Sequence, residues 1–93
     1  MTDKYLLLKH MTSSDKFYDM PLSAQALYFH FVINATIGGS VTDAKGLIRA
    51  IGATENDLYT LIINGFIDCM HVNGIGVLRV SRWGDSMFDE IKE

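Results

Sequence analysis

The dipeptide Asn73-Gly74 lies between two runs rich in β-branched and aliphatic residues, Ile67–Val72 and residues 75–81, and it narrows the fold more than any other feature of the chain. Both residues tolerate the positive φ of a type I′ turn, so the pair predicts a two-residue β-hairpin. A turn of that kind also dictates the register. It sets Val72 opposite Ile75, Met70 opposite Val77 and Asp68 opposite Arg79, which brings the only charges of the paired region face to face with opposite sign.

Two short helical patterns precede the hairpin. After the break at Gly38-Gly39-Ser40, Thr42 or Asp43 is placed to cap a helix in which Leu47, Ile48 and Ile51 face inward and which ends at Gly52. Thr54 and Asp57 then have capping-box spacing, Leu58, Leu61 and Ile62 form a buried stripe, and Gly65 closes the second helix. Two helices joined by a very short Gly-containing turn and followed by a hairpin predict an α+β, mainly helical winged helix-turn-helix, with the hairpin as the wing. At 93 residues the chain is read as one domain over residues 1–93.

Further upstream, residues 5–9 read as a short strand, and residues 13–20 as one or two irregular helical turns stopped by Pro21. From Ser23, an expected N-cap, Ala24, Leu27, Tyr28, Phe31 and Ala35 follow helical spacing, while Ala26, Phe29 and Ile33 supply a second apolar face. A helix apolar on two sides is expected to be covered on two sides. No Lys, Arg, Asp or Glu occurs from Met20 to Thr42, yet Ser23, Gln25, His30, Asn34 and the Gly38-Gly39-Ser40 turn interrupt the stretch before it reaches the roughly 20 apolar residues of a bilayer span. Leu6, Leu7 and Leu8 between Lys4 and Lys9 are too few for a signal peptide, and the single Cys69 permits no intramolecular disulfide. The expectation is a cytoplasmic protein, away from the membrane.

The segment Ser14-Asp15-Lys16-Phe17-Tyr18-Asp19-Met20-Pro21-Leu22-Ser23-Ala24-Gln25-Ala26-Leu27-Tyr28-Phe29-His30 resembles the opening of the N-terminal domain of phage replisome organisers, DnaD-like replication-initiation proteins of Gram-positive bacteria and their phages. The resemblance continues through Ile51-Gly52-Ala53-Thr54-Glu55, Asp57-Leu58, Leu61-Ile62 and Gly65-Phe66 towards Trp83, covering about residues 13–83. It implies a winged helix-turn-helix that engages DNA or the replication machinery. The chain departs from the family where Ile37-Gly38-Gly39 replaces an acidic turn, where Tyr59 and Asn64 replace lysines, and where Asp89-Glu90-Ile91-Lys92-Glu93 stands in place of a basic linker.

Proteins that hold duplex DNA gain most of their affinity by neutralising phosphates, so a recognition helix is normally basic. From Thr54 to Gly65 there are instead two acids, Glu55 and Asp57, and no Lys or Arg. The acids suit a helix N-terminus and repel phosphate. A net charge of −3 gives the whole chain little long-range attraction for nucleic acid. The candidate DNA footprint is a patch of Lys45 and Arg49, four apart on one helix, with Arg79 and Arg82 on or after the hairpin. The competing reading pairs Arg79 with Asp68 and leaves the other three as solvated charges.

The outward face of the helix between Thr54 and Gly65 should carry Asn56, Tyr59, Thr60, Ile63 and Asn64. An exposed Tyr beside an exposed Ile suits a protein contact better than the reading of base edges, unless Ile63 tucks under the hairpin. Met87, Phe88 and Ile91, on one side of a short C-terminal helix, either dock a partner or second subunit or fold back on the domain.

The other chemistry looked for in the sequence does not take shape. His10, His30 and His71 are far apart, Gly74-Ile75-Gly76 lacks the third glycine of a dinucleotide fingerprint, and Cys69, in an expected strand, reads as a small buried hydrophobe. The chain is therefore expected to be non-enzymatic, without cofactor, metal or small-molecule substrate. Two functions remain open. One is a phage or prophage module that binds DNA or a replication protein. The other is a small acidic inhibitor of a host nucleic-acid machine such as a CRISPR nuclease, contacting a defence protein through Tyr59, Ile63 and the acids Asp85, Asp89 and Glu90.

Overall fold

The computed structural model describes residues 4–83. Five helices and three strands follow in the order α1 (Lys4–Thr12), α2 (Asp15–Tyr18), α3 (Leu22–Asn34), β1 (Ser40–Val41), α4 (Ala44–Ile51), α5 (Glu55–Ile63), β2 (Ile67–Val72) and β3 (Ile75–Val80). The strands form one antiparallel sheet in the order β1-β3-β2. The described residues thus form a small α+β protein in which helices predominate.

The centre of the fold is α3, which packs against α1, α4, α5 and β1. Ala24, Leu27, Tyr28, Phe31 and Val32 are its fully buried residues, and they meet Leu7 of α1, Leu61 of α5, Ile67 of β2 and Val80 of β3 in one core. At one end of that core Phe17, Tyr28 and Phe66 form a triangle of edge-on rings with centroids 5.5 to 5.7 Å apart. The short helix α2 exists largely to deliver Phe17. Ser14 caps it by accepting from the Phe17 amide, and Gln25 Nε2 donates to the Met20 carbonyl at 2.9 Å, tying the segment to α3.

The hairpin has the expected register throughout, with Val72 opposite Ile75, Met70 opposite Val77 and Asp68 opposite Arg79. Asn73 and Gly74 carry φ values of 53° and 80°, as a type I′ turn requires. On its other side β3 takes up Ser40 and Val41, a two-residue strand that the sequence does not announce because its pairing is entirely long-range. The Gly38-Gly39-Ser40 break is therefore also the entry to the sheet. Gly39 has φ +86° and lies against the Trp83 side chain, where a Cβ would overlap the indole.

Three expectations for the N-terminal half are corrected. Residues 5–9 are not a strand but part of α1. Leu7 is buried and Leu6, Leu8 and Met11 are packed against the core, a helical and not an alternating pattern, and leucine is among the better helix formers. Ser23 is not the N-cap of α3: the helix begins at Leu22 behind Pro21, whose carbonyl accepts from the Gln25 amide, and Ser23 sits in the first turn with its hydroxyl used elsewhere. The second apolar face of α3 is covered only in part by the described residues: Ala26 and Ile33 are exposed, while Phe29, 37% exposed, stands edge-on to the Phe17 ring at 5.7 Å.

No helix among the described residues is long and apolar enough to cross a membrane.

Candidate functional site

Helices α4 and α5 are joined by Gly52, Ala53 and Thr54. Asp43, and not Thr42, caps α4 by accepting from the Gly46 amide at 3.1 Å, and a Cβ at Gly46 would overlap its carboxylate. Gly52 ends the helix in the left-handed conformation, leaving the Ala53 amide to bond the Ile48 carbonyl at 2.9 Å. The next helix starts immediately. Thr54 and Asp57 close the expected capping box, in which the Thr54 amide donates to Asp57 Oδ2 at 2.9 Å and the Asp57 amide to Thr54 Oγ1 at 3.3 Å.

Asp57 serves the helix N-terminus as expected, and its carboxylate is also withdrawn from the surface. It is buried, and its second oxygen, Oδ1, accepts from Ser23 Oγ of α3 at 2.8 Å. The carboxylate is thus consumed in clamping the start of α5 to the start of α3. Of the two acids in the first turn, only Glu55 faces solvent.

The outer side of α5 presents the residues expected there. Tyr59 is 55% and Ile63 is 82% exposed, so Ile63 does not tuck under the hairpin. Asn56 is also exposed, while Thr60 and Asn64 are half-buried. Both have turned their side chains onto the helix backbone. Thr60 Oγ1 donates to the Asn56 carbonyl at 2.9 Å, and Asn64 Nδ2 to the Thr60 carbonyl at 2.8 Å. The face therefore consists of two exposed apolar side chains among uncharged, internally satisfied polar groups.

The basic residues do not assemble around one ligand. Lys45 and Arg49 are exposed on α4 and line an open cleft of about 280 Å³ with Ile48, Ala53, Thr54 and Glu55, so an acid shares the cleft with both bases. Arg79 is built into the fold: its Nε donates to the Gly38 carbonyl at 3.0 Å and its Nη2 to the Trp83 carbonyl at 2.8 Å. Arg82 Nη1 lies 2.8 Å from His10 Nε2 of α1. The expected Arg79–Asp68 pairing holds for the backbone but not for the side chains, because Asp68 Oδ1 instead accepts from the buried Ser81 hydroxyl at 2.8 Å. The turn at Gly38 and the bend at Trp83 compete successfully for the guanidinium.

Trp83 completes that corner. Its indole Nε1 donates to the Ile37 carbonyl at 2.7 Å and Lys4 Nζ stands 5.6 Å from the ring centre. Cys69 is exposed and not the buried hydrophobe expected of it: it shares a face with the buried Ile67 and stands opposite Leu78, but lies further out along the hairpin, past the buried residues of the core. Burial holds the Tyr28 phenol far above the usual tyrosine range, and its hydroxyl has no hydrogen-bond partner among the described residues. Among the described residues no cluster of His, Cys, Asp or Glu has the arrangement of a metal site. Met87, Phe88 and Ile91, with the acids Asp85, Asp89 and Glu90, lie outside the described residues.

Two features of the surface were missed by sequence reasoning. The Ser23–Asp57 clamp joins residues 34 apart and leaves no local signature. The second face of α3 is legible in the spacing of Ala26, Phe29 and Ile33, but the full cover expected for it is not supplied by the described residues, and Leu22 extends it. Compared with known protein families, characterised proteins and solved structures, the chain matches none significantly.

Proposed function

We propose that this chain is a non-enzymatic winged helix-turn-helix binding module of phage or prophage type that acts on a DNA-processing machine, and that it engages that machine through a protein contact on the outer face of α5. In this reading α4 and α5 are the helix pair, β2 and β3 the wing, and α5 stands where a DNA-reading member would insert its recognition helix. The observation that carries the proposal is the exposure of Tyr59 and Ile63 on a helix that bears Glu55 and no Lys or Arg. A large exposed aromatic beside an exposed aliphatic residue is the usual centre of a protein interface, and neither carries a positive charge to neutralise a phosphate. The resemblance to replisome organisers read from the sequence over about residues 13–83 supports a replication protein as partner, and the acidic net charge of −3 supports a defence protein that holds nucleic acid.

DNA binding is the second reading, and Lys45 and Arg49 are the observation that favours it. They are exposed, on one face, and beside the start of α5. Arg79 and Arg82 contribute less, as both already hold contacts within the fold.

One paired experiment separates the two. The purified protein is used to capture proteins from a Gram-positive host lysate, beside a DNA mobility-shift titration at low and physiological salt. The proposal expects a replication or defence protein to be retained by the wild type and by Lys45→Ala/Arg49→Ala, and lost with Ile63→Asp. A tight, salt-sensitive DNA shift that weakens in Lys45→Ala/Arg49→Ala, with nothing captured from the lysate, overturns it in favour of DNA.

A further inference from the structure

A second surface lies on the far side of the molecule's central helix. Leu22, Ala26, Phe29 and Ile33 follow one another at intervals of four, three and four, so at about 100° per residue they fall within an arc of roughly 60° on α3. That arc is opposite the buried Ala24, Leu27, Tyr28, Phe31 and Val32. Leu22 is 80% and Ile33 65% exposed, and Phe29, 37% exposed, rests one side of its ring on Phe17 at 5.7 Å and leaves the remainder open. The spacing is that of a coiled-coil seam, and α3 carries no Lys, Arg, Asp or Glu anywhere along its 13 residues.

The order of sizes along this seam selects an occupant. Leu22 and Ile33 are equally far from the point between Leu27 and Tyr28, and so are Ala26 and Phe29. When two such helices run antiparallel about a two-fold axis, Leu22 meets Ile33 and the small Ala26 meets the Phe29 ring, at both ends alike. A parallel arrangement instead sets ring against ring and methyl against methyl, giving a clash and a gap in adjacent layers. Tyr18, 65% exposed just before α3, and Ile37, 94% exposed just after it, lie at the ends that the antiparallel arrangement brings together.

We propose that a second copy of this chain packs its α3 antiparallel against this face, forming a two-fold symmetric dimer. A face that is self-complementary in size and free of charge has no electrostatic means of selecting an oppositely charged partner, and nothing on it repels its own copy. Because α5 packs on the buried side of α3, the dimer leaves the Tyr59 and Ile63 surface of each copy open, and this inference does not rest on the function proposed for that surface. A seam of about three helical turns is smaller than the roughly 800 Å² per partner of a standard interface, so the dimer dissociates on dilution.

Sedimentation equilibrium of the full 93-residue chain tests it. Between about 1 μM and about 1 mM the mass should rise from that of one chain, 10.4 kDa, towards twice that value, and Ile33→Asp and Leu22→Asp should each remain monomeric with an unchanged melting curve. Register is read in a Cys69→Ser background. Leu22→Cys mixed with Ile33→Cys should give a covalent dimer on oxidation, and neither variant alone should do so to a comparable yield. A wild type that stays monomeric throughout, a dimer indifferent to both aspartates, or equal cross-linking of Leu22→Cys with itself overturns the proposal.

Discussion

Ser23 Oγ donates to Asp57 Oδ1 at 2.8 Å, joining the first turn of α3 to the first turn of α5. The same carboxylate accepts from the Thr54 amide through Oδ2, so one buried side chain both starts α5 and fixes it on α3. The outer face of α5, with Tyr59 and Ile63, is aimed by this contact. A change at either partner should therefore loosen the presentation of this face, the docking surface proposed above, as well as the fold.

Asp57→Ala should cost about 2–4 kcal/mol, because it removes the capping box and the inter-helix bond together, and Ser23→Ala about 1 kcal/mol. Urea denaturation of the two variants and their combination reads the coupling. Once Asp57 is gone, losing the Ser23 hydroxyl should add almost nothing. Full additivity would show that the two side chains act separately.

Gly39→Ala should be among the most damaging small changes, at about 2–4 kcal/mol, since the new methyl combines an unfavourable positive φ with overlap of the Trp83 ring. Gly74→Ala has the φ penalty alone, because nothing lies near its would-be Cβ, and should cost about 1 kcal/mol. Thermal melting of the pair checks the difference. Equal losses would mean that Trp83 moves aside freely.

Arg79→Ala should lower stability by about 1–3 kcal/mol, since the half-buried guanidinium holds the Gly38 and Trp83 carbonyls, whereas Lys45→Ala and Arg49→Ala should stay within about 0.5 kcal/mol of the wild type. Denaturation curves measured beside any binding assay distinguish these cases. If Arg79→Ala weakens binding without lowering stability, its role lies in the ligand contact and not in the corner it braces.

Tyr28→Phe should be neutral or slightly stabilising at neutral pH, because the buried hydroxyl has no partner to lose among the described residues. The folded phenol ionises well above its unfolded value of 10.0, so the folded state keeps a proton that the unfolded state gives up as pH rises past that value. Tyr28 thus contributes stability that is intact below pH 10 and is lost above it, by about 1.4 kcal/mol per pH unit. Melting curves between pH 9 and pH 11 should show the wild type losing stability relative to Tyr28→Phe. Parallel curves would place water or a partner group at the hydroxyl.

The parts of this fold that were legible in advance are those set by neighbours in sequence. The hairpin register follows from Asn73-Gly74, the α4 end from Gly52, and the α5 start from Thr54 and Asp57, and each has its expected form. The outer face of α5 follows from helical periodicity in the same way. Residues 5–9 were misassigned because three consecutive leucines satisfy a strand or a helix equally well, and only Met11, one turn beyond Leu7, falling on the same core decides for the helix. Cys69 departs from its expected burial because alternation puts it on the face of the buried Ile67 but does not say how far along the hairpin the core reaches.

By itself the sequence determined the hairpin, the end of α4, the start of α5, the charge-poor outer face of α5 and the apolar spacing along α3, because backbone preferences and side-chain spacing act over a few residues. Tertiary structure alone decided that Ser40 and Val41 join the sheet, that Arg79 serves the Gly38–Trp83 corner and not Asp68, that Asp57 turns inward to Ser23, and that Ala26 and Ile33 stay open. Each of these depends on which distant groups arrive within hydrogen-bonding or packing distance. That outcome belongs to the closing of the whole chain around α3, and no short window of residues contains it.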